Sequence, residues 1–200
     1  MNFKESKDLK SYKPQNNCLS SGQVLHTPYN YFDTKLIITE MIDNLTLELV
    51  KRNLVTNKVF LNINYDKESE YDGPLTKNYY NQSVPKGVNS NINLDHFTSS
   101  FTYINQETLK LYERLVNKKL LIRRITITFA NLTIPHAEIK QLDLFNKPSN
   151  KKREEQETNL QKTILNIKNK YGKNSILKAS NLEKNSTMKE RNEEIGGHHE

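Results

Sequence analysis

Apolar and polar positions recur at fixed intervals along this chain, and each interval predicts an element. In "KVFLNINY", residues 58 to 65, Val59, Leu61, Ile63 and Tyr65 share one face while Lys58, Asn62 and Asn64 share the other, the period of a half-buried strand. "RRITITFANL" repeats it, with Ile125, Ile127 and Phe129 inward and Arg124, Thr126 and Thr128 outward. Ile38, Met41, Ile42, Leu45 and Leu49 fall at i, i+3, i+4, i+7 and i+11 behind Asp33, a candidate N-cap, and predict an amphipathic helix ending at Arg52-Asn53. A second helix is predicted from Asn105 to Lys119, burying Leu109, Tyr112, Leu115 and Val116.

Two weaker strands complete the set: "SSGQVL" (20 to 25) and "LDHFTSSF" (94 to 101), the latter with Phe97, Ser99 and Phe101 on one face. Residues 66 to 92, rich in Asn and holding Gly73, Pro74, Pro85 and Gly87, predict a long loop. The order strand, helix, strand, strand, helix, strand predicts an α+β fold. It is a four-stranded antiparallel sheet with two helices on one face (βαββαβ) and a polar face free to meet a partner.

Residues 1 to 18 read as a linker, 19 to 135 as the folded domain, 136 to 153 as a lysine-rich linker with an apolar cluster, and 154 to 200 as a partly helical tail. In the tail, Leu160, Ile164, Ile167 and Tyr171 stand at helical spacing before Gly172, a natural C′ residue.

Composition narrows the partners. A hydrophobic fraction of 34% and a mean hydropathy of -0.81 fit one folded unit with extensions. The net charge of +7 and pI near 9.3 favour a polyanion such as nucleic acid. The longest aliphatic run, Leu36-Ile37-Ile38, is far short of the roughly 20 residues that span a bilayer. The charged start "MNFKESKDLK" lacks a secretory apolar segment, and Cys18 stands alone, so a cytoplasmic, reducing setting is expected.

Few stretches offer catalysis. Asp66, Glu68, Glu70 and Asp72 form the dense acidic set, but without the Gly and Glu of a calcium loop they read as a solvated acidic loop rather than a metal site. His198 and His199 are too few ligands for a defined site, and no glycine-rich phosphate loop is present. The basic residues say more. Arg114, Lys118, Lys119, Arg123 and Arg124 crowd the second helix and the last strand, either as a ridge contacting consecutive phosphates or as a solvated face with a charge-guarded strand edge.

Several stretches resemble the C-terminal region of Y-family translesion DNA polymerases of the UmuC-like branch. "YKPQNNCLSSGQVLHTPY" resembles that family's connector and the first strand of its little finger domain; "LIITEMIDNLTLELVKRN", "KVFLNINYDK" and "RRITITFANL" resemble its first helix, second strand and last strand. "QLDLF" is similar to its sliding-clamp motif, and the closing "NIKNKYGKNSILKASNL…STMKERNEEIGGH" to the tail of such proteins from Gram-positive bacteria and mobile elements. The likeness runs from about Tyr12 nearly to the end of the chain.

The resemblance implies a DNA-binding, clamp-tethering portion of an SOS-type lesion-bypass polymerase. Gln141, Leu142, Asp143, Leu144 and Phe145 would take the clamp pentapeptide, the glutamine hydrogen-bonding while Leu and Phe fill an apolar cleft. Arg123 and Arg124 would face DNA, with Ser20, Ser21 and Lys58 as lesser contacts beside Lys118, Lys119 and Arg114. The implied partners are damaged or primer-template DNA, a bacterial β sliding clamp and a UmuD-like accessory subunit. The family's nucleotidyl-transfer site and its Mg2+ belong to an N-terminal palm whose acidic motifs are not in this chain, so no cofactor and no unaided polymerisation are expected of it. The alternatives are a free-standing ferredoxin-like RNA-binding module, which would need paired aromatics on its central strands, and a protein-interaction module docking through Leu160, Ile164 and Ile167.

Overall fold

In the computed structural model, which describes residues 17 to 135 and 148 to 193, the elements are β1 (Leu19–Tyr29), α1 (Tyr31–Lys51), β2 (Thr56–Tyr65), β3 (Leu75–Lys77), β4 (Ser83–Pro85), β5 (Val88–Thr98), α2 (Phe101–Leu115), β6 (Ile122–Ala130), α3 (Pro148–Tyr171) and α4 (Met188–Glu193), with a 3-10 turn at Ala179–Leu182. Four strands form one sheet in the order β1-β6-β2-β5, every neighbour antiparallel. Since β1 and β2 each oppose β6, they run parallel with β6 between them, and α1 makes that crossover. In the same way α2 carries β5 to β6 around β2. The expected α+β sheet with two helices on one face is the fold that forms.

Alternation decides which face the helices cover. Val59, Leu61 and Ile63 of β2 and Ile125, Ile127 and Phe129 of β6 are fully buried, packed with Ile37, Ile38, Met41 and Ile42 of α1 and Ile104, Leu111 and Tyr112 of α2. Each such side chain contributes about 1.5–3 kcal/mol by leaving water. Tyr112 is buried whole, stacks on Tyr31 at 4.9 Å and donates its hydroxyl to the Tyr31 carbonyl at 2.9 Å; burial pushes its phenol well above the ordinary range.

Local chemistry shifts several boundaries from those expected. The N-cap of α1 is Asn30, whose side-chain oxygen accepts from the amides of Phe32 and Asp33 at 2.8 and 2.9 Å, so Asp33 lies inside the first turn. The helix closes where Asn53 takes φ 52°. Ser100 caps α2, which therefore begins at Phe101 and ends at Leu115, four residues early at each end. Phe101 is helical and Phe97 half-exposed, so the strand face expected of 94 to 101 does not exist; the strand runs from Val88 to Thr98.

The long loop is also more ordered than its composition suggests. It holds a hairpin, β3 with β4, and its first acid is not solvated: Asp66 is 6% exposed, accepts from the amide of Glu68 and lies 3.6 Å from Arg123.

The tail folds back on the helices. In α3 Gln161 is buried and Glu154, Glu157, Thr158, Ile164, Leu165, Ile167 and Lys168 are half-buried, whereas Leu160 and Tyr171 of the expected apolar stripe are exposed. Gly172, at φ 96°, terminates α3 as its C′ residue. Glu157 accepts from the Ser100 hydroxyl at 2.6 Å and from the amide and hydroxyl of Thr102 at 2.9 and 3.0 Å, placing a carboxylate on the amide end of α2. Further on, Glu40 of α1 is 1% exposed and accepts from Asn181, Ser186 and the amide of Thr187, and Lys178 pairs with Asp43 at 2.7 Å.

Candidate nucleic-acid interface

The sheet face opposite the helices carries no covering element among the described residues, and strand register orders its side chains into rows. Ser20, Thr128, Phe60 and Asn91 form one row; Gly22, Thr126, Asn62 and Asn89 the next; Val24, Arg124 and Asn64 a third. Beyond the first row lie Ala130, Lys58 and Asn93. The face is therefore mostly amide and hydroxyl. A shallow depression of about 470 Å³ sits on it, lined by Phe60, Asn62, Asn64, Asn89, Arg124, Thr126 and Thr128.

Short polar side chains on an open sheet face can hydrogen-bond phosphate and sugar oxygens, and they leave room for a broad ligand. Charge comes from Lys58 and Arg124, on opposite sides of the asparagine rows. The Lys58 ammonium rests 5.2 Å from the centroid of Phe60, and Arg124 is exposed.

The expected site residues separate by geometry. Ser20, Lys58 and Arg124 lie on the open face. Ser21 does not, because adjacent strand residues point to opposite faces; its hydroxyl accepts from Arg191 at 3.4 Å on the helix side. Arg123 donates to the His26 carbonyl at 2.9 Å and pairs with Asp66, so it braces the sheet end. The ridge expected of five cations is not one surface. Arg114 sits on α2 on the helix side, and because α2 ends at Leu115, Lys118 and Lys119 fall in the following turn, Lys118 facing the Tyr31 ring at 5.6 Å. Gln141, Leu142, Asp143, Leu144 and Phe145 lie outside the described residues.

Reasoning from sequence overlooked Phe60, Asn89 and Asn91 as face residues. The signal was present: asparagines at 89, 91 and 93 alternate with Val88, Ser90, Ile92 and Leu94. Among the described residues, no three His, Cys, Asp or Glu side chains gather to hold a metal ion, and no helix is long and apolar enough to cross a membrane.

A family model described as the impB/mucB/samB family C-terminal domain matches residues 19 to 144. Among solved structures, the chain is similar to an insertion ternary complex of Dbh DNA polymerase, with 12% identity, a TM-score of 0.40, and 58% of this chain and 29% of that one covered. It is also similar to a Y-family DNA polymerase chimera of Dbh and Dpo4, with 11% identity, a TM-score of 0.35 and the same two coverages. The chain thus spans less than a third of the length of either. No curated protein matches.

Proposed function

The chain belongs to the impB/mucB/samB family, whose C-terminal domain it carries, and from that premise we propose that its open sheet face holds DNA for a Y-family lesion-bypass polymerase. The observation that supports this most is the face itself: two rows made mostly of amides and hydroxyls between Lys58 and Arg124, opposite a buried apolar face. Such a surface offers donors and acceptors to phosphate and sugar oxygens, a hold that suits an enzyme that must accept damaged templates. Nucleotidyl transfer and its Mg2+ belong, in this reading, to a palm domain, and these residues supply the hold on primer-template DNA.

Binding measured against salt tests it. Each lost phosphate contact lowers the slope of log K against log salt by about 0.9, so Lys58→Ala and Arg124→Ala should each flatten it by about one, and Arg114→Ala should leave it unchanged. An Arg124→Ala chain with the wild-type slope would contradict the placement.

The finer part of the proposal is tethering, in which Gln141 to Phe145 bind a bacterial β sliding clamp, and a role in SOS-type bypass with a UmuD-like partner, which the sequence stretches that resemble the UmuC-like branch support. Leu142, Leu144 and Phe145 entering a cleft would contribute about 1.5–3 kcal/mol each before ordering costs. Titration of purified clamp with a Leu144→Ala, Phe145→Ala chain should show that affinity lost; unchanged affinity removes the tether. The RNA-module alternative needs paired rings on the central strands, and Phe60 is the sole ring in the three rows.

A further inference from the structure

One helix of the tail keeps an apolar line that the fold covers only in part. Leu160, Ile164, Ile167 and Tyr171 of α3 stand at i, i+4, i+7 and i+11, so they follow one another along one side of the helix for three turns, about 16 Å. The two at the ends are open, Leu160 at 59% and Tyr171 at 66% exposure, and the two between are half-buried. This line lies beside the seat of α3, not in it: Gln161, the side chain buried deepest, follows Leu160 and so points about 100° away around the helix. Single exposed apolar residues are ordinary, but four in a row on one helix form the kind of line by which helices dock.

Charge selects the occupant. Residues 158 to 182 hold Lys162, Lys168, Lys170, Lys173 and Lys178 and no acid. Lys170 borders the line, its ammonium 5.0 Å from the centroid of Tyr171, and exposed Arg153 stands two turns before Leu160 on the same side. The acids of α3 do not offset them. Glu154 is held by His96 and Thr98, Glu157 by Ser100 and Thr102, and Glu155 falls on the far side of the helix. Past the helix, Glu193 accepts from Asn174 at 3.1 Å. A second copy of α3 laid antiparallel would bring Lys170 against Arg153 of the other copy, so like charges oppose self-pairing. Phosphate would suit the cations but has no use for Leu160 and Ile164.

We propose that this line docks an acidic amphipathic helix of another protein, with the occupant's apolar side chains on Leu160 and Tyr171 and its carboxylates on Arg153 and Lys170. The surface is small, so the contact is a transient one. It belongs to the tail, past the residues 19 to 144 that the family model matches, and stands apart from the open face, so it holds whether or not that face binds DNA.

The test titrates the full chain with three designed peptides: an amphipathic helix with leucine on one face and glutamate beside it, the same helix with lysine for glutamate, and a scrambled form of the first. The acidic helix should bind and the other two should not. Leu160→Ser, Tyr171→Ser should weaken that binding about tenfold, with an unchanged circular dichroism spectrum because both side chains are exposed. Arg153→Glu, Lys170→Glu should lose the acidic helix and gain the lysine one, a reversal that misfolding cannot produce. Every variant should keep wild-type affinity for primer-template DNA. No binding of the acidic helix, equal binding of its scrambled form, or unchanged affinity in the serine chain overturns the proposal. So does lost DNA affinity in the serine chain, which would give the line to DNA, or capture of anionic vesicles in preference to the acidic helix, which would give it to a lipid surface.

Discussion

The region from Leu19 to Leu132 and the tail from Pro148 to Glu193 are both folded, yet opposite forces hold them. The first is built on one apolar cluster, from Leu19 on β1 to Leu132 past β6, and that cluster draws no residue from the tail. In the tail, Met188 is the one buried apolar side chain among the described residues. Beside half-buried Ile164, Leu165, Ile167, Ile176 and Leu177, the contacts that fix the tail are polar: Glu40 with Asn181, Ser186 and Thr187, Lys178 with Asp43, Glu154 with His96 and Thr98, and Glu157 on the start of α2. Even the most buried α3 side chain, Gln161, has no hydrogen-bond partner for either of its polar atoms among the described residues.

Apolar burial is additive and tolerant of direction, so the sheet layer opens only as a whole. Hydrogen-bonded carboxylates regain their partners in water, so a region docked by them opens on its own at lower cost, as polar inter-domain contacts do. The tail should therefore separate from α1 without unfolding the sheet.

The largest effect should come from the first region. Ile127→Ala, at a fully buried position on a central strand, should lower unfolding stability by about 2–5 kcal/mol in a denaturant titration and affect all probes alike. Next, Glu40→Ala leaves the donors of Asn181, Ser186 and Thr187 without their acceptor. It should cost about 1–3 kcal/mol, seen as faster hydrogen exchange at Thr187 and Met188 with Ile42 still protected. Exchange at Ile42 rising in step would show that the two regions are one cooperative unit.

The smallest effect should be with pH. Burial pushes the Glu154 carboxyl up, but its bonds to His96 and Thr98 and the charge of His96 outweigh that, and its pKa is lowered from 4.5. A lowered carboxyl contributes stability that is fully present above 4.5 and lost as pH falls through the lower, folded value. Exchange in the Glu154 to Thr158 turn should rise over that acid range while β2 stays protected, and Glu154→Gln should abolish the pH dependence. A pH-independent exchange rate there in the wild-type chain would count against the pairing.

The same contrast explains what could be read from the sequence. β2, β6 and α1 were legible because their inward residues are Ile, Leu, Val and Phe at the period of the element. β5 was half hidden because asparagine, a loop residue by habit, fills its outward positions. The tail was only half legible: Ile164 and Ile167 of its expected stripe are half-buried, but Leu160 and Tyr171 look outward and Glu154, Glu157, Gln161 and Lys168 fill much of the inner side. An interface of mixed polarity leaves only a broken hydrophobic period to find. The basic ridge failed for another reason: five cations close in sequence are split by strand alternation and by the early end of α2. Of the candidate interface, Lys58, Arg124 and Ser20 were legible, and Phe60 with its asparagine rows needed the register.

The central claim is that the open face, not the helix side, meets DNA, and the most direct measurement is the salt dependence of primer-template binding by the wild-type, Arg124→Ala and Arg114→Ala chains side by side. A slope flattened by about one for Arg124→Ala, with Arg114→Ala matching wild type, is the expected result. The reverse pattern, with Arg114 carrying the salt dependence and Arg124 silent, would move the DNA to the helices and contradict the account.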